Sequence, residues 1–298
     1  MVKKKNKRRL AISGLILAVL VFLVCISPGS CQISYLSQAV AGHLRIMGAA
    51  KPIEKILKKD TLDPGLRDKL QMVLDVHVFA VRVLALPDNK SYTRYSPIRD
   101  EYPGWNVFCA PEFSIQPKTW CFPFAGYSTL GWFSDPLLSS QVRYDSLHLA
   151  SLVIHELAHQ KFYKPGDSDF SEAFAVTIER AGVLRWLDSL GLEDRKNRAL
   201  RYWDRVDERA GRMLKARNEL DDVYQSGRDT AFMLRKKDSI IRSLEKDLNI
   251  RDEKINNAWL VPVSTYHAKI PFFQNLLDSC GGDFKKFYLE VAKMGKKR

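Results

Sequence analysis

Cysteine is scarce in this chain, and acidic residues are missing from its start. Its 298 residues include five cysteines, none of which has the CxxC spacing of a cysteine-ligated zinc or redox site. No acidic residue precedes Glu54, and no internal repeat is present. Apolar residues make up 46% of the chain and charged residues 27%, which is ordinary for a folded protein with a real core.

Negative charge is also in deficit over the whole chain, whose formal net charge is +13. Six of the excess positive charges lie in residues 1–9, so residues 31–298 keep only +7. This modest excess is weak support for nucleic-acid binding, and we expect no nucleic-acid partner. It suits an envelope protein that lies near anionic lipid.

The N-terminus has the pattern of an export signal over residues 1–30. Basic residues precede an apolar run from Leu10 to Ile26, and small residues then lead to Cys31. Gly29-Ser30-Cys31 is similar to the end of a bacterial lipoprotein signal, which predicts lipidation of Cys31 and tethering on the periplasmic or outer face of a bacterial membrane. The alternatives are an uncleaved signal anchor and, for Cys31, a plain buried or disulfide-bonded cysteine.

Two further cysteines, Cys109 and Cys121, bracket a segment that contains two prolines. In an exported protein, a disulfide across such a loop is one interpretation. Two separate buried thiols are the other, and the sequence does not choose between them.

Helical periodicity covers most of the chain after residue 31, which we predict to be a single domain over 31–298. We expect helices over 33–59 and from Asp63-Pro64 to about Leu86, and a small antiparallel sheet in the aromatic-rich segment 90–135. Two further helices are expected over 145–187, then a long helical hairpin over 193–255 that turns near Gly227, and a helical cap over 256–294. The fold class is therefore α+β and mostly helical.

The stretch His155-Glu156-Leu157-Ala158-His159 is an HExxH motif within one of these helices. Residues four apart lie one turn apart on the same helical face, so both imidazoles can bind one metal ion. Glu156 lies beside them and is costly to bury unless it has a partner or a catalytic role. The motif predicts hydrolysis, most often of peptides, by a zinc-bound water that Glu156 activates.

A zinc site of this kind needs a third protein ligand, and Glu172 is the best candidate. It follows His159 after the Pro165-Gly166 break, which allows the next helix to fold back over the first. The competing interpretation is a capping box, Asp169-x-x-Glu172. Glu179 is the alternative ligand, although an outer-shell or surface position is expected for it.

The developing oxyanion needs a donor besides the metal. Tyr266 is our choice, and Tyr163 and His267 are the other candidates. His148, seven residues before His155, keeps open a plain buried-histidine interpretation of the helix.

The segment "LASLVIHELAHQKFYKPGDSDFSEAFAVTIERAGVLRWL" resembles the signature of a family of bacterial zinc aminopeptidases, often lipoproteins. The blocks "WCFPFAG", "YSTLGWFSDPLLSS" and "NNAWLVPVSTYHAKIPFFQNLL" are similar to that family's other blocks. The resemblance implies a gluzincin-like core with one Zn²⁺ ion, a peptide substrate, ligands His155, His159 and Glu172, and Glu156 as the catalytic glutamate.

Two departures from the family pattern concern the surroundings of the site. Ser171 stands where the family has Asn, and "WCFPFAG" runs directly into "YSTLGWF", where relatives carry an additional segment. A Gly-x-Met-Glu-Asn stretch for holding the substrate's free amine is missing, and Glu112 or Glu179 would have to serve instead. An envelope endopeptidase and a non-catalytic zinc-binding scaffold therefore stay open beside the aminopeptidase.

Overall fold

The computed structural model describes residues 30–108, 120–126, 128–129, 133–251, 255–260 and 269–295. The chain divides into two compact units, residues 1–50 and 51–298. In the first unit, the described element is helix α1 (Ser30–Ala49). Within the described part of the chain, no helix is both long and apolar enough to cross a membrane. Nearly all of the expected export signal lies outside the described residues and stays a prediction.

The helix predicted over 33–59 is wrong in its second half. After α1 the chain forms strand β1 (Lys51–Pro52) and a short helix, α2 (Ile53–Leu57). Proline lacks a backbone N–H and its ring clashes with the preceding helical turn, so a helix cannot run through Pro52. Pro52 instead lies opposite Arg94 in an antiparallel strand pair and immediately precedes α2.

An antiparallel strand pair forms in the aromatic-rich segment, as expected. Strands β3 (Gly104–Phe108) and β4 (Trp120–Phe124) pair with Trp105 opposite Pro123. Gly104 lies against the Phe124 ring so closely that a Cβ atom there would be 2.5 Å from the ring. Half of a third predicted strand, over 128–133, lies outside the described residues.

A second sheet was not predicted and includes a parallel pair. Strand β2 (Arg94–Ser96) runs antiparallel to β1 and parallel to β5 (Leu137–Leu138). The expectation of a purely antiparallel sheet is therefore corrected to one antiparallel pair and one mixed sheet. Strands of two or three residues show too little alternation for their sequence to reveal them.

Most of the main hydrophobic core comes from five helices: α3 (Pro64–Arg82), α4 (Ser146–Lys161), α5 (Ser168–Ser189), α8 (Ile270–Ser279) and α9 (Phe284–Gly295). Buried residues of α2 and the side chains of Ala199 and Trp203 add to it. Phe174 of α5 stacks on Phe287 of α9 with the ring centroids 5.8 Å apart. The Tyr288 hydroxyl donates a hydrogen bond to the Leu84 carbonyl at 2.8 Å. The C-terminal helices thus cover α5, in agreement with the predicted helical cap.

The predicted helical hairpin is present as α6 (Glu193–Gln225) and α7 (Thr230–Asp247). Gly227 has a φ of +67° in the connection, a conformation that glycine adopts without steric cost. Arg212 of α6 donates a hydrogen bond to the carbonyl of Asp247 at the end of α7, so the two helices run antiparallel. The hairpin has a small core of its own around Leu220, Ile241 and Leu244.

Candidate metal centre

Helices α4 and α5 are joined by a short connection that folds the second helix over the first. Asp145 caps α4 by accepting a hydrogen bond from the His148 N–H at 2.9 Å. After α4 ends, Gly166 takes a φ of +79°, and Asp167 caps α5 by accepting from the Phe170 N–H at 3.1 Å. The cap of α5 is therefore Asp167, and the capping-box interpretation of Asp169 and Glu172 is wrong.

This arrangement brings three side chains together into a group that could hold a metal ion, namely His155, His159 and Glu172. The Nε2 atoms of His155 and His159 are 3.1 Å apart. Glu172 places Oε2 at 3.3 Å from the first nitrogen and Oε1 at 3.5 Å from the second. The ligand atoms all lie within 4.8 Å of one another.

The charges of the group are strongly coupled. Burial alone would lower the pKa of His155, but hydrogen bonds to Glu172 and Glu179 outweigh burial and raise this pKa well above its ordinary value. Burial would raise the pKa of Glu172, but the two histidines outweigh it and lower this pKa to about 2. An ionised carboxylate therefore faces both imidazoles, which is the protonation state that a metal ligand needs.

Glu179 lies on the outer side of His155. Its Oε2 atom is 3.0 Å from Nδ1 of His155, the ring nitrogen that faces away from Glu172. A carboxylate at this position fixes the tautomer and the ring orientation of a metal-binding histidine. The structure thus places Glu179 behind a candidate ligand, in agreement with the outer-shell expectation.

Glu156 is partly buried and stands out because one of its carboxylate oxygens is unpaired. Among the described residues, neither Oε2 of Glu156 nor Nδ1 of His159 has a hydrogen-bond partner, although both atoms are buried. An unsatisfied buried oxygen costs about 1–3 kcal/mol. Such a cost is understandable where the oxygen must stay free for a reacting water or substrate.

Of the remaining predicted residues, the structure describes Tyr163 and His148. Tyr266, His267, Glu112 and Cys109 lie outside the described residues, so the oxyanion donor and the disulfide stay predictions. Tyr163 is 40% exposed, and its ring centroid is 6.2 Å from that of His159.

His148, the third histidine of α4, is not part of the group. Its Nδ1 atom pairs with Asp145 at 3.0 Å, and its ring packs edge-on against Tyr202 of α6. The buried-histidine interpretation of the helix therefore does not extend to His148, whose side chain is 41% exposed.

A turn that supports α4 is not evident from the sequence. Asn89 donates a hydrogen bond to the Gln160 side chain at 2.6 Å, and Gln160 donates one to Ser91 Oγ at 3.1 Å. The next residue, Tyr92, is fully buried with a φ of +61°; burial and the nearby charges of Glu156 and Asp135 raise its pKa well above the ordinary value. Pro87-Asp88-Asn89 has the composition of a turn, which indicates a loop here but does not reveal its contacts.

Comparison with known proteins adds one finding. A family model described as "Putative aminopeptidase" matches residues 34–127 and 124–298. The chain belongs to this family. No curated protein and no solved structure matches it.

Membership in the Putative aminopeptidase family confirms the resemblance to a peptidase family that the sequence indicated. The two matched segments overlap at residues 124–127. This is the junction between "WCFPFAG" and "YSTLGWF", where we expect a segment of the relatives to be missing; that expectation stays a prediction.

Proposed function

We propose that this protein is a zinc-dependent aminopeptidase of the gluzincin type. The observation that carries the proposal is the convergence of His155, His159 and Glu172 beside Glu156, whose buried Oε2 atom has no partner among the described residues. Membership in the Putative aminopeptidase family supports peptides as the substrate class.

The three side chains fit a tetrahedral zinc site. Zinc bonds of about 2.0–2.2 Å to nitrogen and oxygen in tetrahedral geometry separate neighbouring ligand atoms by about 3.3–3.5 Å. The two nitrogens are 3.1 Å apart, and each has an oxygen of Glu172 near this distance, Oε2 at 3.3 Å from His155 and Oε1 at 3.5 Å from His159. With one ligand atom taken from each residue, the three atoms lie within 4.8 Å of one another. Three protein ligands leave one tetrahedral position open, as in catalytic zinc sites.

Zinc bound at this site would polarise a peptide carbonyl and acidify a water molecule. Glu156 would serve as the proton acceptor through its free Oε2 atom and would return the proton to the leaving amine. Glu179 holds His155 in the tautomer whose Nε2 atom is free to bind the metal.

The test uses the full chain purified in detergent, with its Glu156→Gln variant as the matched control. We expect about one zinc ion per chain in both proteins, measured by elemental mass spectrometry. The parent should release N-terminal residues from peptides with free N-termini, and Glu156→Gln should lower kcat by about 10²–10⁴-fold, because the proton acceptor is lost.

Three results would contradict parts of the proposal. Absence of zinc from the parent would eliminate the metal site. Equal inertness of parent and variant, with zinc in both, would favour a zinc-binding scaffold. Cleavage of N-acetylated peptides at internal bonds would favour an endopeptidase.

We further propose that the chain is exported and tethered to the periplasmic or outer face of a bacterial membrane through lipid on Cys31. The basic start, the apolar run to Ile26 and the Gly29-Ser30-Cys31 sequence support this location. Metabolic labelling with a radioactive fatty acid should mark the parent and not Cys31→Ala. Equal labelling of the two, or none of the parent, would refute lipidation at this residue.

A further inference from the structure

Arginines recur every three or four residues along the first half of helix α6. This spacing places them on one face of the helix, over about 21 Å of its axis. All of them are exposed, and most line a cavity of about 540 Å³ between α6 and the N-terminal end of α4. We call this surface the arginine face, and it consists of Arg195, Arg198, Arg201, Arg205 and Arg209.

The positive charge of the arginine face is not neutralised by its described neighbours. Asp207, on the same helix, accepts hydrogen bonds from Arg180 of α5 at 2.6 and 2.7 Å. Asp145, which lines the cavity, pairs with His148 at 3.0 Å. Within the described part of the chain, no carboxylate forms an ion pair with an arginine of this face. The face therefore presents its positive charge to a partner outside the chain.

Two exposed side chains beside the arginine face are suited to the boundary between water and lipid. Tyr144 is 42% exposed, and its ring lies 6.1 Å from that of His148, which packs edge-on against Tyr202 in the cavity wall. Leu190 is 52% exposed and follows Leu187, which also lines the cavity, by three residues. Tyrosine is enriched at the headgroup level of membranes, and basic side chains beside exposed apolar ones are typical of surfaces that lie on anionic lipid.

We propose that the arginine face docks on the surface of an anionic lipid membrane. Guanidinium groups bind phosphate oxygens through paired hydrogen bonds, so the face is complementary to a layer of phosphate headgroups. A free anion would use the arginines alone and would gain nothing from the exposed Leu190. The contact is made by residues of the unit 51–298, so the inference depends neither on lipid at Cys31 nor on peptide hydrolysis.

The experiment uses residues 51–298, because the apolar run near the N-terminus would bind any vesicle. All buried members of both hydrophobic cores belong to this compact unit, which therefore folds without residues 1–50. Circular dichroism and cooperative thermal unfolding verify the fold of each variant. Flotation at low ionic strength then measures binding to vesicles of phosphatidylcholine alone and to vesicles with about one third phosphatidylglycerol.

Two variants remove the same charge from different surfaces. The first changes the arginine face by Arg198→Gln, Arg201→Gln and Arg205→Gln. The matched control changes three exposed arginines in the turn of the hairpin and on α7 by Arg228→Gln, Arg235→Gln and Arg242→Gln.

We expect the parent to bind the anionic vesicles at least about tenfold more tightly than the neutral ones. Each arginine near an anionic surface contributes about fivefold to the affinity. The first variant should therefore bind the anionic vesicles at least about tenfold more weakly than the parent, and the control less than about threefold more weakly. Equal binding of the parent to both vesicles, or an equal loss in the two variants, would overturn the proposal.

Two soluble probes separate a membrane surface from other anionic partners. Glycerol phosphate should displace the parent from anionic vesicles no better than sodium chloride of the same ionic strength. Stronger displacement would identify a site for a single phosphate group and would overturn the proposal. Binding of polyglutamate through Arg198, Arg201 and Arg205, without binding to vesicles, would identify an acidic protein partner and would overturn it as well.

Discussion

In the α4–α5 pair the carboxylates of Glu172 and Glu179 are 20% and 17% exposed, and both face His155. In the α6–α7 hairpin the charged side chains cover solvent-facing surfaces, as in the pairs Arg212–Glu208 and Arg242–Asp238. Exposed pairs of this kind contribute about 0–1 kcal/mol each. A charge in the first region therefore has a specific partner or task, whereas one in the second region is largely replaceable.

The two regions differ in how their charged side chains are paired. Some hairpin charges pair with a neighbour three or four residues away on the same helix, as Lys196 does with Glu193 and Arg212 with Glu208. Others have no described partner of opposite charge, among them the four arginines of α6 that line a cavity beside α4: Arg195, Arg198, Arg201 and Arg205. Pairing on the hairpin is therefore local and partial, whereas the buried carboxylates of the α4–α5 pair each face a specific histidine.

The largest expected difference between the regions is in metal affinity. Glu179→Gln should weaken zinc binding by about 10–100-fold, because the carboxylate that orients His155 is lost. Glu172→Gln should weaken it more than Glu179→Gln, since a ligand itself is replaced. Glu219→Gln, at a hairpin carboxylate that is 48% exposed, should leave the affinity unchanged. The measurement is competition with a chromophoric chelator.

The order of the three variants is the informative result. A larger loss for Glu179→Gln than for Glu172→Gln would make Glu179 the metal ligand. A loss for Glu219→Gln as large as either would mean that the two regions do not differ in the way described.

Replacing a glycine by alanine should change the free energy of unfolding in opposite directions in the two regions. A Cβ atom at Gly182 of α5 would lie 2.6 Å from Leu84 Cδ1 and 3.2 Å from Ile154 Cγ2, both in buried side chains. Gly182→Ala should therefore destabilise the protein by about 1–3 kcal/mol. At Gly211 of α6 nothing lies within 4 Å, so Gly211→Ala should stabilise by about 0.5–1 kcal/mol through helix propensity.

Chemical denaturation of the two variants beside the parent gives both free energies of unfolding. Because both positions are helical, helix propensity acts equally on them and the difference reports packing alone. Stabilisation by both substitutions would show that α5 is not packed as tightly against Ile154 and Leu84 as the structure indicates.

The sequence predicted the helices of the site well because their signals are local. The HExxH spacing, the Pro165-Gly166 break and the apolar stripe of α4 each act within a few residues, and they were sufficient to predict α4, α5 and the candidate ligands. The hairpin was equally accessible, because its periodicity extends over many turns and Gly227 marks the connection.

Contacts between distant segments could not be predicted in the same way. The parallel pairing of β2 with β5 joins residues about forty positions apart through strands of two and three residues. The hydrogen bonds of Gln160 with Asn89 and Ser91 bring α4 into contact with a distant loop. The sequence of that loop predicts a turn but not its partner. The position of Arg198 and Arg201 beside α4 depends on the packing angle of α6, which periodicity does not specify.

The smallest expected effect concerns the start of α5 and has a definite pH dependence. Ion pairs with Lys164 and Lys269, each at 2.8 Å, lower the pKa of Asp167 below its ordinary value of 3.8. The ionised carboxylate of Asp167 therefore stabilises the fold at pH values above its ordinary pKa. This stabilisation is lost as the pH falls through the lowered pKa. Asp167→Asn keeps a capping oxygen and removes the charge.

We expect Asp167→Asn to cost about 1 kcal/mol or less at neutral pH, because the carboxylate is partly exposed. The cost should stay constant down to about pH 5 and shrink below about pH 4, as the parent's own carboxylate becomes protonated. Urea denaturation of parent and variant between pH 3 and 8 measures this cost in free energy of unfolding.

Asp238→Asn changes an exposed ion pair of the hairpin and is the control. It should cost less than Asp167→Asn at every pH from 3 to 8, since Asp238 has one exposed partner, Arg242, and caps no helix. An equal cost at the two positions would indicate that charge at the start of α5 has no greater value than charge on the hairpin surface.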